Sequence, residues 1–413
     1  MPAPVDPRAA MRRFLAGQRD AQARFLAELV RTPSDNPPGD CGPAAERAAS
    51  LIESLGLKVH RHRVPPDTVR AAGLVSCTNL VCRHAFGADG PTLALNAHGD
   101  VVPPGTGWSV DPYGAEIRDG VMYGRGVAVS KSDFATYVWA LLALRQCGAP
   151  LRGAVELHLT YDEETGGDLG PGWLLSQGLT RPDYVIGAGF THGVTIAHNG
   201  CLHLEVTVSG RSGHAAKPET GVDALEAATG ILAGLYAFRA RLAQRRSATP
   251  GIDHPTLVVG LISGGINTNV VPDEVRFRLD RRVLPEEDPE AAESELREEI
   301  TRLAFGAPGV RVSIRRLLLA RPFRPVPGQE RLVEALRRNA RAVLGEEIPA
   351  HGVPLYTDAR HYSVAGIPTA LYGAGPRTLE EANGHRADEQ LRLSDLHAAT
   401  EVVALTLFDL LQP

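Results

Sequence analysis

The 413-residue chain sets 43 Lys and Arg against 48 Asp and Glu, a formal net charge of −5 at pH 7, with 43% hydrophobic and 22% charged residues. That length exceeds what one core usually holds, so two domains are expected. The acidic balance argues against a nucleic-acid partner, and no apolar run approaches the roughly 18–20 residues that span a bilayer. Residues 1–25 hold two acidic groups and no continuous apolar core, which does not read as a signal peptide. The five cysteines are scattered, odd in number and lack a CxxC spacing. They read as reduced thiols of a cytoplasmic protein.

In chain order, residues 9–31 place Phe14, Leu15, Phe25, Leu26, Leu29 and Val30 at helical spacing. The segment Thr32 to Gly39, with three prolines, breaks that helix. A second amphipathic helix covers 44–55, and strands are expected at 57–64, 79–83 and 92–97. Residues 108–114 read as a loop and 120–126 as a turn of small residues. A long helix starts near Ser130 or Ser132, both plausible N-caps, and runs to about Cys147. Strands follow at 155–160 and from Tyr184.

From Cys201 the pattern changes. Strand 202–208, helix 221–242, strands 256–262 and 274–282, helix 289–304 and strand 310–318 give the order β-α-β-β-α-β. That order predicts a ferredoxin-like α+β domain inserted in an α/β domain. The expected domains are therefore 1–200 and 321–413 together, with 201–320 inserted. Arg241–Arg246 reads as a mobile loop. Helix 330–344, strand 369–372 and a last helix close the chain.

Two stretches carry chemistry. Leu93 and Leu95 form a buried strand that delivers His98 and Asp100 at its carboxyl end, where open α/β sheets place their ligands. His98 can offer an imidazole nitrogen to a divalent metal, with Asp100 orienting the ring. Glu163 and Glu164 follow the buried strand 155–160 and precede Gly166-Gly167. Adjacent carboxylates at a strand end point different ways, so one can hold a cation while the other takes a proton from water. His158, His203 and His254 read as ordinary sheet or surface histidines.

With these motifs in this order, nearly the whole chain resembles the M20 metallopeptidase family of deacylases, dipeptidases and carboxypeptidases. The resemblance implies an α/β catalytic domain with an inserted ferredoxin-like dimerisation, or lid, domain. It makes His98 and His385 metal ligands, Asp100 the residue that orients His98, Glu163 the water-activating base and Glu164 a metal ligand. It assigns His214, in Gly210-Arg-Ser-Gly-His214, to the oxyanion of a neighbouring subunit's site, so a homodimer is implied. Asn269 and Arg282 become the clamp for a small carboxylate-bearing substrate, with Gly373 and Gly375 beside it.

The chain departs from the family at two metal positions. The bridging Asp is replaced by Val129, and an acidic ligand by Ala188; neither alkyl side chain can ligate. Asp133, one helical turn beyond Val129, and His192, four residues beyond Ala188, are the candidate substitutes, with Cys201 weaker. The simplest outcome is one divalent metal (Zn, Mn or Co) held by His98, Glu164 and His385. Three readings stay open. The first is an amide-bond hydrolase with that metal. The second is a metal-independent lyase, isomerase or hydrolase that uses Glu163 as proton-transfer base. The third is a non-catalytic protein that binds a carboxylate ligand.

Overall fold

The computed structural model describes residues 6–306 and 308–413; the opening residues 1–5 of the N-terminal stretch lie outside them. The chain divides into two compact units. The first comprises the chain up to Ile196, Pro325–His351 and Thr357–Pro413. The second comprises Ala197–Arg324 and Gly352–Tyr356, so it takes in a short segment that the sequence reading placed in the other domain.

The first unit is built on a mixed sheet. Its strands run in the order His60–Arg63, Thr78–Ala85, Ala154–Thr160, Thr92–His98, Tyr184–Gly187, Thr369–Leu371, Val194–His198 and Ala350–Val353. Four consecutive members, Ala154–Thr160 through Thr369–Leu371, are mutually parallel. Parallel strands need cover on both faces, and these read as near-continuous apolar runs. Leu93, Leu95, Val155, Leu157 and Ile186 are all buried.

The helix Lys131–Arg145 packs against both Pro7–Val30 and Leu393–Leu411. Its buried residues occupy every side of the helix, as suits one enclosed by neighbours. Phe25 meets Trp139 edge-on at 5.1 Å between ring centroids. Truncating a buried leucine such as Leu141 in such a layer costs about 2–5 kcal/mol. No helix among the described residues is long and apolar enough to cross a membrane.

The second unit pairs four antiparallel strands in the order Leu257–Gly264, Glu274–Val283, Gly200–Ser209 and Arg311–Ala320. Helices Ala224–Leu242 and Pro289–Ala304 cover one face. By sequence rank that order is 2-3-1-4, the ferredoxin-like arrangement expected from the pattern. Alternate residues Leu202, Leu204, Val206 and Val208 face the helices, and the intervening ones face outward.

Three local expectations need correction. The first helix of this unit starts at Ala224 rather than Gly221, because the Asp223 carboxylate caps it by accepting the N–H groups of Leu225 and Glu226. Arg241 and Leu242 belong to the helix rather than to a loop, with Arg241 paired to Glu299; the turn and irregular stretch after them carries Arg245 and Arg246, which pair with Glu295 and Asp253. In the first unit, the expected turn 120–126 contains the strand Val121–Tyr123, laid between Glu116–Arg118 and Gln390–Arg392.

Candidate active site

The four parallel strands deliver their carboxyl ends side by side. Thr92–His98 presents His98, and Ala154–Thr160 leads into the tight 3₁₀ turn Glu163–Thr165. Tyr184–Gly187 stops before Ala188, and Thr369–Leu371 precedes Gly373–Gly375. His98 Nδ1 lies 3.0 Å from the main-chain oxygen of Asp100 and 3.4 Å from its Oδ1. A carbonyl oxygen only accepts, so Nδ1 carries the ring hydrogen and a neutral ring offers its lone pair at Nε2.

His98 Nε2 faces Glu163 Oε2 at 3.9 Å. His98, Glu163 and Glu164 each present a ligand atom, and these atoms all lie within 4.8 Å of one another. His385 joins through its Nε2, 3.4 Å from Glu164 Oε1. It sits at φ +61°, a left-handed conformation that a non-glycine residue seldom adopts. The geometry thus brings together His98, Asp100, Glu163, Glu164 and His385, drawn from three distant parts of the chain.

Asp100 does more than face the imidazole. Its Oδ1 accepts the N–H of Glu163 at 3.3 Å, and its Oδ2 accepts the N–H of Glu164 at 3.1 Å. Asn36, in a segment the sequence marks only as a helix breaker, donates to the same Oδ2 at 2.9 Å. Ser130 supplies no cap to its helix. Its hydroxyl instead brackets His98, accepting the backbone N–H at 3.1 Å and donating to the carbonyl at 3.0 Å. Gly167, at φ +72°, has no room for a side chain because a Cβ there would lie 2.0 Å from Asp358 Oδ1.

Burial dominates the electrostatics. It pushes the Glu163 carboxyl well above its ordinary range despite the opposing pull of His98, and the neighbouring carboxylates add to the rise. Burial also disfavours charge on His98. Glu163 and Asp100 outweigh that and hold the imidazole well above its usual value. Asp358 is pushed up to about 6 by burial, and Asp162 rises for the same reason. A dense set of carboxyls with two imidazoles is a donor set that suits one divalent cation.

The two positions expected to depart from the family's ligands offer nothing to such a cation. Val129 and Ala188 pack against the hydrophobic core. Neither candidate substitute is spare. Asp133 is buried with its oxygens taken by the N–H groups of Ala374 at 2.7 Å and Gly189 at 3.2 Å, and burial pushes it up to about 7. It pins two strand ends together. His192 pairs with Glu346 at 2.8 Å and Asp395 at 3.7 Å.

The turn that carries Val129 is held by Glu389, which no periodicity in the sequence reveals. Its buried carboxylate accepts from Arg125 Nη1 at 2.7 Å and from the N–H groups of Gly126, Ala128 and Val129 at 2.9–3.1 Å. Gly373 and Gly375 have internal reasons to lack side chains. A Cβ would meet Asp133 Oδ1 at 2.1 Å in the first case and the Gly189 carbonyl at 2.7 Å in the second.

The remaining site candidates belong to the second unit. His214 is exposed in the short ladder Gly213–His214 with Val270–Val271, and its Nδ1 accepts the Ala216 N–H at 3.0 Å. Asn269 is exposed beside it, its carbonyl accepting the Ala215 N–H at 3.0 Å. Arg282 is half-buried, with Nε on Asp280 Oδ1 at 3.0 Å and the guanidinium over the Tyr356 ring at 5.7 Å.

Residues 94–409 match the peptidase family M20/M25/M40. The chain is 30% identical over 393 residues to a succinyl-diaminopimelate desuccinylase of Gluconacetobacter diazotrophicus, covering 92% of this chain and 94% of the relative. It is also 30% identical over 378 residues to an acetylornithine deacetylase of Edwardsiella ictaluri, covering 88% and 91%. The fold is similar to that of human carnosine dipeptidase 1, with a TM-score of 0.76, 16% identity and 98% of each chain covered.

Proposed function

Since the chain belongs to peptidase family M20/M25/M40 and is an amide-bond hydrolase, we propose that Glu163 is its general base and that its substrate carries a carboxylate. The observation that supports this reading is the convergence of His98, Glu163 and Glu164 at adjacent strand ends, with Asp100 fixing the backbone of both glutamates. His98, Glu164 and His385 would hold a single divalent cation of the zinc, manganese or cobalt type. When bound, such an ion lowers the pKa of water and polarises a carbonyl oxygen.

The chain's own groups do the rest. Glu163 takes a proton from the attacking water and returns it to the departing amine nitrogen, and the remaining acid proton ends on the amine, so water and amide become carboxylate and ammonium. His98 gives up its Nε2 proton when it ligates. His214 of a second copy donates to the developing oxyanion, which makes the working form a homodimer. Asn269 binds a substrate oxygen and Arg282 its carboxylate. Gly373 and Gly375 act through backbone shape. The names of the relatives direct the substrate search to N-succinyl and N-acetyl amino acids and to dipeptides. All five cysteines are buried and outside disulfides, which suits the cytoplasm.

The test is Glu163→Gln, assayed with that panel after metal loading. Turnover should fall about 10²–10⁴-fold with the fold and the metal content intact. An unchanged rate removes Glu163 from the role. Metal content should fall by about one equivalent per chain in His98→Ala and in His385→Ala. Turnover that survives exhaustive chelation would replace this reading with a metal-independent one.

A further inference from the structure

The outward face of the second unit's sheet carries a cluster that the hydrolytic reading leaves unused. Cys201 and His203 lie two residues apart on Gly200–Ser209, so they share a face. Asp280 stands directly opposite His203 on Glu274–Val283, and Arg282 opposite Cys201. Cys201 Sγ is 3.1 Å from His203 Nε2 and 3.4 Å from Asp280 Oδ2. His203 Nε2 is 2.8 Å from the same Oδ2. The cysteine is buried, while the imidazole and carboxylate are 38% and 30% exposed.

Two uses of a Cys-His-Asp group can be separated by geometry. In a nucleophilic relay the carboxylate binds one imidazole nitrogen and the thiol the other. Here thiol and carboxylate both meet Nε2, so proton relay through the ring has no path. Three donor atoms converging on one point is the arrangement of a chelate. Zinc bonds of about 2.0–2.3 Å set tetrahedral edges of roughly 3.3–3.6 Å; the Sγ–Oδ2 edge of 3.4 Å matches this, and the 3.1 and 2.8 Å edges at His203 Nε2, now hydrogen bonds, would open by roughly half an ångström on binding.

We propose that Cys201, His203 and Asp280 form a second metal site, for zinc or another divalent cation that accepts a thiolate, with a fourth position open to solvent. Thiolate and carboxylate together supply two negative charges. Binding releases the Cys201 thiol proton to solvent and needs His203 neutral. Arg282 keeps Asp280 Oδ1, leaving Oδ2 for the ion. The ion would tie two central strands together beyond their ladder and lock Asp280, and through it Arg282, in one orientation. This site does not depend on the hydrolytic reading, whose ligands include no sulfur.

The test uses the full-length protein, stripped of metal and titrated with Co²⁺. A thiolate-to-cobalt charge-transfer band should appear in the near ultraviolet. It should persist in the His98→Ala/His385→Ala double variant and vanish in Cys201→Ser. His203→Asn should weaken it at least ~10-fold in apparent affinity. No band at saturating Co²⁺, or a band that survives Cys201→Ser, overturns the site. Should Cys201→Ser fail to fold, X-ray absorption of the zinc-loaded double variant decides: a sulfur shell at about 2.3 Å supports the site, and a nitrogen/oxygen shell alone rejects it.

Discussion

The candidate site in the first unit and the helix-backed sheet of the second treat their carboxylates in opposite ways. Around the candidate site, three buried carboxyls are met by dipoles: Asp133 by two backbone N–H groups, Asp358 by the Thr160 hydroxyl, Asp162 by the N–H of Leu169. Their protonation ranges rise. In the second, carboxylates are bracketed by cations. Glu287 has Arg281 and Arg245, Glu293 has Arg297 and Arg316, and Glu299 has Arg302 and Arg241. Their ranges fall. A centre that must attract a cation keeps negative groups uncompensated at a cost in stability, and a scaffold does not.

That contrast can be broken most forcefully at the buried pair Arg125–Glu389, both side chains 1% exposed. Glu389→Ala strands a buried guanidinium and three N–H groups, and should cost about 3–5 kcal/mol. All three tryptophans, Trp108, Trp139 and Trp173, lie in the first unit, so urea unfolding followed by their fluorescence reads that loss. Ser130→Ala removes both hydrogen bonds that bracket His98 and should cost about 1–3 kcal/mol in the same assay.

Acid should separate the units. Asp133 and Asp358 have folded-state values of about 7 and 6, above those of the unfolded chain. Their ionisation penalises the fold, and the penalty disappears as pH falls through those values. Glu287 and Glu293 are lowered, so their contribution persists until pH falls below the ordinary carboxyl range. Hydrogen exchange of the metal-free protein, corrected for intrinsic rates, should therefore show greater protection at pH 5.5 than at 7.5 for peptides around residues 94–100 and 369–375. Peptides around 200–209 and 274–283 should show no gain. The smallest effect is Asp223→Ala, which removes a helix cap from the second unit for about 1 kcal/mol, read by far-ultraviolet circular dichroism in urea.

What the sequence reveals of this molecule follows the range of the forces involved. The parallel strands and the ferredoxin-like order are written in local periodicity, and Pro289–Ala304 begins and ends where expected because Asp288 and Pro289 mark its start. His98 and the Glu163-Glu164 pair stand out because each directly follows a buried strand. Asn36, Ser130 and Glu389 do not, since a single hydrogen-bonding side chain leaves no pattern until its distant partner is known. The sheet of Glu116–Arg118, Val121–Tyr123 and Gln390–Arg392 escapes for a related reason: strands of three residues, one of them wholly exposed, carry no alternation to detect.

Glu389 has one more consequence, in the order in which the chain is made. It is separated from Arg125 by 264 residues, yet its carboxylate accepts from the Arg125 guanidinium and from the N–H groups of Gly126, Ala128 and Val129. The continuous stretch Ala197–Arg324 leaves the ribosome before it and can condense while synthesis continues. The first unit draws its last segment, Thr357–Pro413, from beyond that stretch, and Glu389 lies within it. A nascent or C-terminally truncated chain that stops before Glu389 therefore lacks the acceptor for the turn that leads into Ser130, and with it the anchor of the segment that brackets His98.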